Sequence, residues 1–183
     1  MLGFIENVPK IITVSLYIKI LSKKMIVMGH KLPDVDAFGA AIGVYRAAKT
    51  FGKKTHIVIN EITTSVRPLI DRVIATEEYE QDLFLNSVEA LDAADENTAV
   101  IVVDTNKPSY TECEGLLSKC RTIVVLDHHR QGSEKIETAT LSYVEPYASS
   151  SSEMVAEVMQ YISDGIHVLP VEADCLYADM KNS

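Results

Sequence analysis

The sequence is short of basic residues, of cysteine and of long apolar runs, and each shortage removes a class of function. Lys and Arg number 17 against 26 Asp and Glu, a formal net charge of −9. Nucleic-acid backbones and anionic lipid surfaces recruit basic protein surfaces, so neither long nucleic acid nor direct membrane contact is expected. A small anionic substrate stays compatible if local cations offset the charge around it. Three cysteines (Cys113, Cys120 and Cys175) cannot all pair within one chain, and they match neither a disulfide framework nor a tight metal-ligand pattern. Their expected state is the buried thiol of a reducing compartment, and the expected location is cytoplasmic. The one apolar run that invites a membrane reading, Ile11 to Ile18, is bracketed by Lys10 and Lys19. It falls far short of the ~20 residues a bilayer requires, and no small-residue cleavage pattern follows it. Segment 1–22 is therefore expected to pack on the domain as an amphipathic helix or strand. Internal repeats and Pro/Gly-rich hinges are also missing, so 183 residues read as one domain with at most a small second lobe.

What is present has the balance of an ordinary globular protein, 47% hydrophobic and 23% charged, with enough chain to bury a core without staples. Short apolar runs rich in β-branched residues alternate with longer helical patterns. Met25 to Gly29, Thr55 to Ile59, Ala99 to Asp104 and Thr122 to Asp127 read as strands, the last two continuously apolar as in sheets covered on both faces. Val35, Phe38, Ala41, Ile42 and Tyr45 are spaced for one helix face ending near Gly52. Helical patterns at Val66 to Ala75 and Thr111 to Lys119 connect strands, and Leu141 to Val144 suits a further short strand. Ser150 with Glu153 predicts a capping box that opens a helix through Met154, Val155, Val158, Met159 and Ile162. The acidic cluster of Glu77, Glu78, Glu80 and Asp82 reads as a solvated face. The rhythm predicts an α/β fold with a doubly wound, mainly parallel sheet flanked by helices.

Three of the five histidines and several acids fall immediately after predicted strands. His30, Asp34 and Asp36 follow the first, Asp104 ends another, and Asp127, His128 and His129 end a third. In an open parallel sheet the carboxyl ends of the strands share one edge, where ligands bind. Singly, each residue has a plain structural explanation. Asp34 could be a helix N-cap and Asp36 a first-turn acid favoured by the helix dipole. Asp104 and Asp127 could be turn formers, and His128 and His129 hydrogen-bonded structural residues. Together they crowd carboxylates that cannot stay ionised side by side unless cations neutralise them. Carboxylate and imidazole without thiolate suit Mn²⁺ better than a structural zinc.

These residues carry a family resemblance. Asp127-His128-His129 resembles the signature triplet of the DHH phosphoesterase superfamily. His30-x-x-x-Asp34-x-Asp36 and Val103-Asp104-Thr105 resemble its first two motifs. The segments around Met28–Ala37, Val102–Pro108, Val125–Arg130 and Val144–Ser150 are most similar to the GdpP-type cyclic di-AMP phosphodiesterases. The resemblance implies a Rossmann-like DHH catalytic domain over 23–183 and two Mn²⁺ ions per chain. One ion would be held by His30, Asp34 and Asp104, the second by Asp36, Asp104 and His128, with Asp104 bridging. The aspartate that completes the second site is matched by Asp179. His129 and Asp127 are expected to serve catalysis around the metals, and His129 and Arg130 to contact substrate. The implied reaction is hydrolysis of cyclic di-AMP to pApA, or of a related short dinucleotide, by water activated between two metals, with no side-chain nucleophile. A DHH-superfamily oligoribonuclease or pyrophosphatase is the alternative, as is a lobe that binds metal or nucleotide without turnover. The family's following substrate-binding domain and the upstream membrane-anchoring segments of GdpP-type proteins have no counterpart in these 183 residues. The catalytic lobe alone is therefore expected, and a homodimer is left open.

Overall fold

The computed structural model describes residues 10–20, 22–162 and 165–178. Six parallel strands form one sheet: β1 (Lys24–Met28), β2 (Lys54–Val58), β3 (Phe84–Leu85), β4 (Ala99–Val103), β5 (Thr122–Asp127) and β6 (Leu141–Val144). Their order across the sheet is β3-β2-β1-β4-β5-β6, with every pairing parallel. The helices are α1 (Lys10–Ile20), α2 (Val35–Thr50), α3 (Arg67–Ile74), α4 (Ser87–Ala93), α5 (Gly115–Lys119), α6 (Ser151–Ile162) and α7 (Pro170–Tyr177). The expected doubly wound α/β fold is thus present, and its sheet is entirely parallel among the described residues.

The strand sequences divide the core by the two-residue period of β structure. Met25, Val27, Ile57, Ile101, Val103, Val124 and Leu126 face a core shared with α1, α2, α6 and α7. Ile26, Met28, Val58, Val100, Val102, Ile123 and Val125 face the opposite core under α4 and α5. A strand covered on both sides has no polar face to show, which explains the continuous apolar runs.

The central helix α2 is stopped sharply at both ends. Asp34 accepts the Ala37 amide at 2.9 Å as N-cap. At the other end Gly52 turns left-handed (φ 66°), while Gly52 and Lys53 donate to the carbonyls of Lys49 and Ala48, a Schellman closure. Along its length Gly39 and Gly43 let two helices approach closely. A Cβ at Gly39 would meet the Cys175 carbonyl of α7 and, at 2.6 Å, the Ser152 Oγ of α6.

Several expectations are refined. Segment 10–20 is a helix that packs on α6, with Val14 and Ile18 buried and Ser15 Oγ within 3.1 Å of the Val158 carbonyl. Its Leu16 remains exposed, so apolar residues run round the helix rather than along one stripe. The pattern predicted as a helix from Thr111 forms only over Gly115–Lys119. Thr111 pairs instead with His30 in an antiparallel bridge, and the Glu112 amide is taken by the Gly29 carbonyl. Of the expected capping box of α6, Ser150 Oγ accepts the Glu153 amide, but Glu153 reaches back to the amide and hydroxyl of Ser149. The acidic cluster is partly bonded: Glu80 takes Tyr45 and Lys49, and Asp82 takes Lys54. All three cysteines are free and buried, and burial pushes the Cys175 thiol up to about 12. Among the described residues no helix is long and apolar enough to cross a membrane.

Candidate metal centre

The sheet reverses its winding between β1 and β4, which lie side by side although widely separated in sequence. Beyond the carboxyl ends of strands at such a reversal, loops part and leave a crevice. His30 follows β1, Asp34 and Asp36 open α2, Asp104 follows β4, and Asp127, His128 and His129 end β5. The chain therefore brings these residues to one place by topology alone.

Asp104 stands at the middle. It is the one non-glycine residue with positive φ (58°) among those described, a conformation that aspartate and asparagine tolerate better than most residues. Its side chain is almost wholly buried. One oxygen lies 3.4 Å from His30 Nε2. The other lies 3.4 Å from His128 Nε2 and accepts the Ser151 hydroxyl at 2.9 Å. His30 Nε2 also lies 3.7 Å from Asp34, so Asp34 caps the helix and faces the cluster at once. His30, Asp34 and Asp104 bring ligand atoms within 4.8 Å of one another, and so do Asp104, His128 and His129.

Asp36 is buried, 3.5 Å from His128 Nε2. Its two oxygens accept the amides of Ser152 and Ser151 at 2.7 and 2.8 Å. His129 thus lies near the second donor group by proximity, beside the Asp36 that the sequence placed there. Asp179 lies outside the described residues. Asp127 is occupied by other partners: it accepts His129 Nδ1 at 2.8 Å, the His129 amide and the Asn106 amide group. Asn106 also donates to the His129 carbonyl, so it fastens the end of β4 to the triplet after β5. Sequence reasoning assigned no role to Asn106, Ser151 or Ser152. The serine run carried the signal, but as a cap alone.

The electrostatics call for a cation. The Asp104 carboxylate, then that of Asp34, push the His30 imidazole up to about 10. Burial raises Asp104 against the pull of His30, and the charges of Asp36 and Asp34 raise it further. Burial also works to raise Asp34, but His30 and the Ala37 amide outweigh it and hold Asp34 below its ordinary value. A proton thus sits where positive charge is wanted. Carboxylate oxygens with imidazole nitrogens and no thiolate form a donor set that fits Mn²⁺ or a similar hard to borderline dication. The cluster opens into a cleft of about 460 Å³ lined by His30, Asp34, Asp104, Asn106, Tyr110 and His129, with Lys107 and Arg130 among its remaining walls. An apolar groove between α6 and α7 is of similar size but has no carboxylate or imidazole in its lining.

The DHH family, N-terminal domain, matches residues 24–179, and the chain belongs to that family. It is 42% identical over 159 residues to a Bacillus subtilis protein described as cyclic-di-AMP phosphodiesterase GdpP, covering 86% of this chain and 24% of that one. A probable manganese-dependent inorganic pyrophosphatase of Enterococcus faecalis is 30% identical over 135 residues, covering 70% of this chain and 39% of that protein. The chain thus spans about a quarter of the length of the Bacillus relative. The fold is also that of an exopolyphosphatase-related protein of Bacteroides fragilis, with a TM-score of 0.72 at 17% identity over 94% of this chain and 49% of that one.

Proposed function

We propose that this chain is the catalytic lobe of a manganese-dependent phosphodiesterase that hydrolyses cyclic di-AMP or a related short dinucleotide. The observation that carries the reading is the single Asp104 carboxylate lying between His30 on one side and His128 on the other. His30, Asp34 and Asp104 would hold one ion. Asp36, Asp104 and His128 would hold a second, joined by Asp179. Paired dications supply an activated water and neutralise charge developing on the attacked phosphate. The protein's own residues prepare the site around them. The Ser151 and Ser152 amides fix the Asp36 carboxylate in one orientation. Asp127 holds His129 through Nδ1, so that Nε2 of this exposed ring would donate to a phosphate oxygen in the cleft when the ring carries both protons. Arg130, which shares the cleft, is placed for the same anion.

The nucleotide substrate is supported by the 42% identity to a protein described as a cyclic-di-AMP phosphodiesterase. The weaker 30% identity to the pyrophosphatase supports manganese and keeps pyrophosphate as the second reading. Cyclic di-AMP, pApA and pyrophosphate offered in parallel, with Mn²⁺ or with EDTA, separate the readings. Turnover of a dinucleotide that requires Mn²⁺ is expected. Turnover of pyrophosphate alone would favour the second reading. Ion binding without turnover of any of the three would reduce the chain to a binding lobe.

A further inference from the structure

We propose that Tyr110, with Lys107 against one face of its ring, forms a nucleobase-stacking subsite in the wall of the metal-binding cleft. The proposal rests on the nucleotide reading above and gives that reading a base-recognising side chain. Tyr110 lines the same cleft as His30, Asp34 and Asp104, yet its side chain is 57% exposed. Single exposed aromatics are ordinary on protein surfaces, and three features set this one apart. First, its backbone is pinned. Tyr110 ends the 3-10 turn Pro108–Tyr110, its carbonyl accepts the Lys31 amide at 2.8 Å, and the next residue, Thr111, is bridged to His30. The ring is therefore carried by backbone tied to the chain on either side of a cluster residue.

Second, Lys107 Nζ lies 5.0 Å from the ring centroid, a cation–π contact that occupies one face. With more than half of Tyr110 exposed, ring surface is left for a planar ligand. Third, Lys107 and Arg130 line this one cleft in a protein of net charge −9. A nucleotide presents the matching pair of features, a π-face beside a phosphate. Pyrophosphate has no ring for Tyr110 to receive. Aromatic stacking accepts any base, so the subsite selects nucleotides as a class rather than one base.

The test reads binding rather than turnover. AMP and ribose 5-phosphate are titrated calorimetrically into the Mn²⁺-loaded protein; they share the phosphate and sugar, and only AMP carries a base. The wild type should bind AMP about tenfold more tightly, the scale of one base–aromatic stack. Tyr110→Phe should keep that preference. Tyr110→Ala should bring AMP down to the affinity of ribose 5-phosphate, whose own unchanged binding reports an intact fold. Equal binding of the two by wild type, an undiminished preference in Tyr110→Ala, or no AMP binding at all would overturn the proposal. A base preference without turnover of cyclic di-AMP keeps the subsite and removes the hydrolytic reading. Turnover without a base preference does the reverse.

Discussion

Glu112 makes the clearest case for what burial does to a single charged side chain in this protein. It is buried beside the end of β1, where one oxygen accepts from Asn60 and the other has no partner among the described residues. Burial raises its carboxyl above the ordinary 4.5, against the Asn60 hydrogen bonds that lower it. The folded state therefore holds this proton more tightly than the unfolded chain, and ionised Glu112 costs stability at neutral pH. The sign follows: stability from this group grows as pH falls through its raised value towards 4.5, and is lost again as pH rises. Compared with Glu112→Gln, which does not titrate, wild type should gain relative stability between pH 7 and about 4.5. Urea midpoints for both proteins at several pH values check this, and a constant difference would contradict it. The residues of the carboxylate and histidine cluster were more legible than Glu112. His30, Asp34, Asp36, Asp104 and His128 each follow a recognisable strand, and one sheet edge gathers them. Asn106, Ser151 and Ser152 were not legible as partners. Their bonds to Asp127, Asp36 and Asp104 depend on how distant segments lie against one another, and no local pattern records that.

Among the elements, α2 decides how the site is held. Its first turn carries Asp36, and its glycine-lined face admits α6 closely enough for the amides of Ser151 and Ser152 to reach that carboxylate. Gly39→Ala would force a methyl group against the Cys175 carbonyl and Ser152 Oγ. Backbone cannot yield as a flexible side chain does, so a loss of about 1–3 kcal/mol is expected from overpacking. Denaturant unfolding measures it, and an unchanged midpoint would show that α6 and α7 shift freely. The Gly39-x-x-x-Gly43 spacing is the sequence signal for this approach, though sequence reasoning passed over it. α2 was legible because burial writes a helical period into it, and β4 and β5 because burial on both faces leaves them continuously apolar. The two-residue β3 is too short to carry either pattern, and the short α4 was missed although an Asn86–Glu89 capping box opens it. The helix expected from Thr111 failed because pairing with His30 outweighed a helical pattern.

At the scale of the whole molecule, one sheet reversal gathers His30, Asp34, Asp36, Asp104 and His128, and the proton on His30 offsets their carboxylates only in part. Mn²⁺ should therefore raise the melting temperature, because it binds the folded site and not the dispersed ligands of the unfolded chain. Ligation needs a neutral imidazole, and Asp104 and Asp34 hold the His30 proton up to about 10, so the gain should shrink steadily as pH falls below that value. Calorimetric melting with and without Mn²⁺ at two pH values tests this, and indifference to Mn²⁺ at neutral pH would count against a metal site. The central claim is that Asp104 joins two ions, and metal content per chain in Asp104→Asn tests it most directly. Asparagine keeps the shape and tolerates the left-handed backbone at this position, so circular dichroism should report an intact fold. It removes the charge that both ions would share. Losing a residue that merely supports a ligand already costs about 10–100-fold in metal affinity, and a shared ligand should cost more. His129→Ala, treated alike, should keep its ions and alter substrate handling instead. The account predicts that Asp104→Asn empties at least one of two sites, and a folded Asp104→Asn protein that still holds two Mn²⁺ per chain would contradict it.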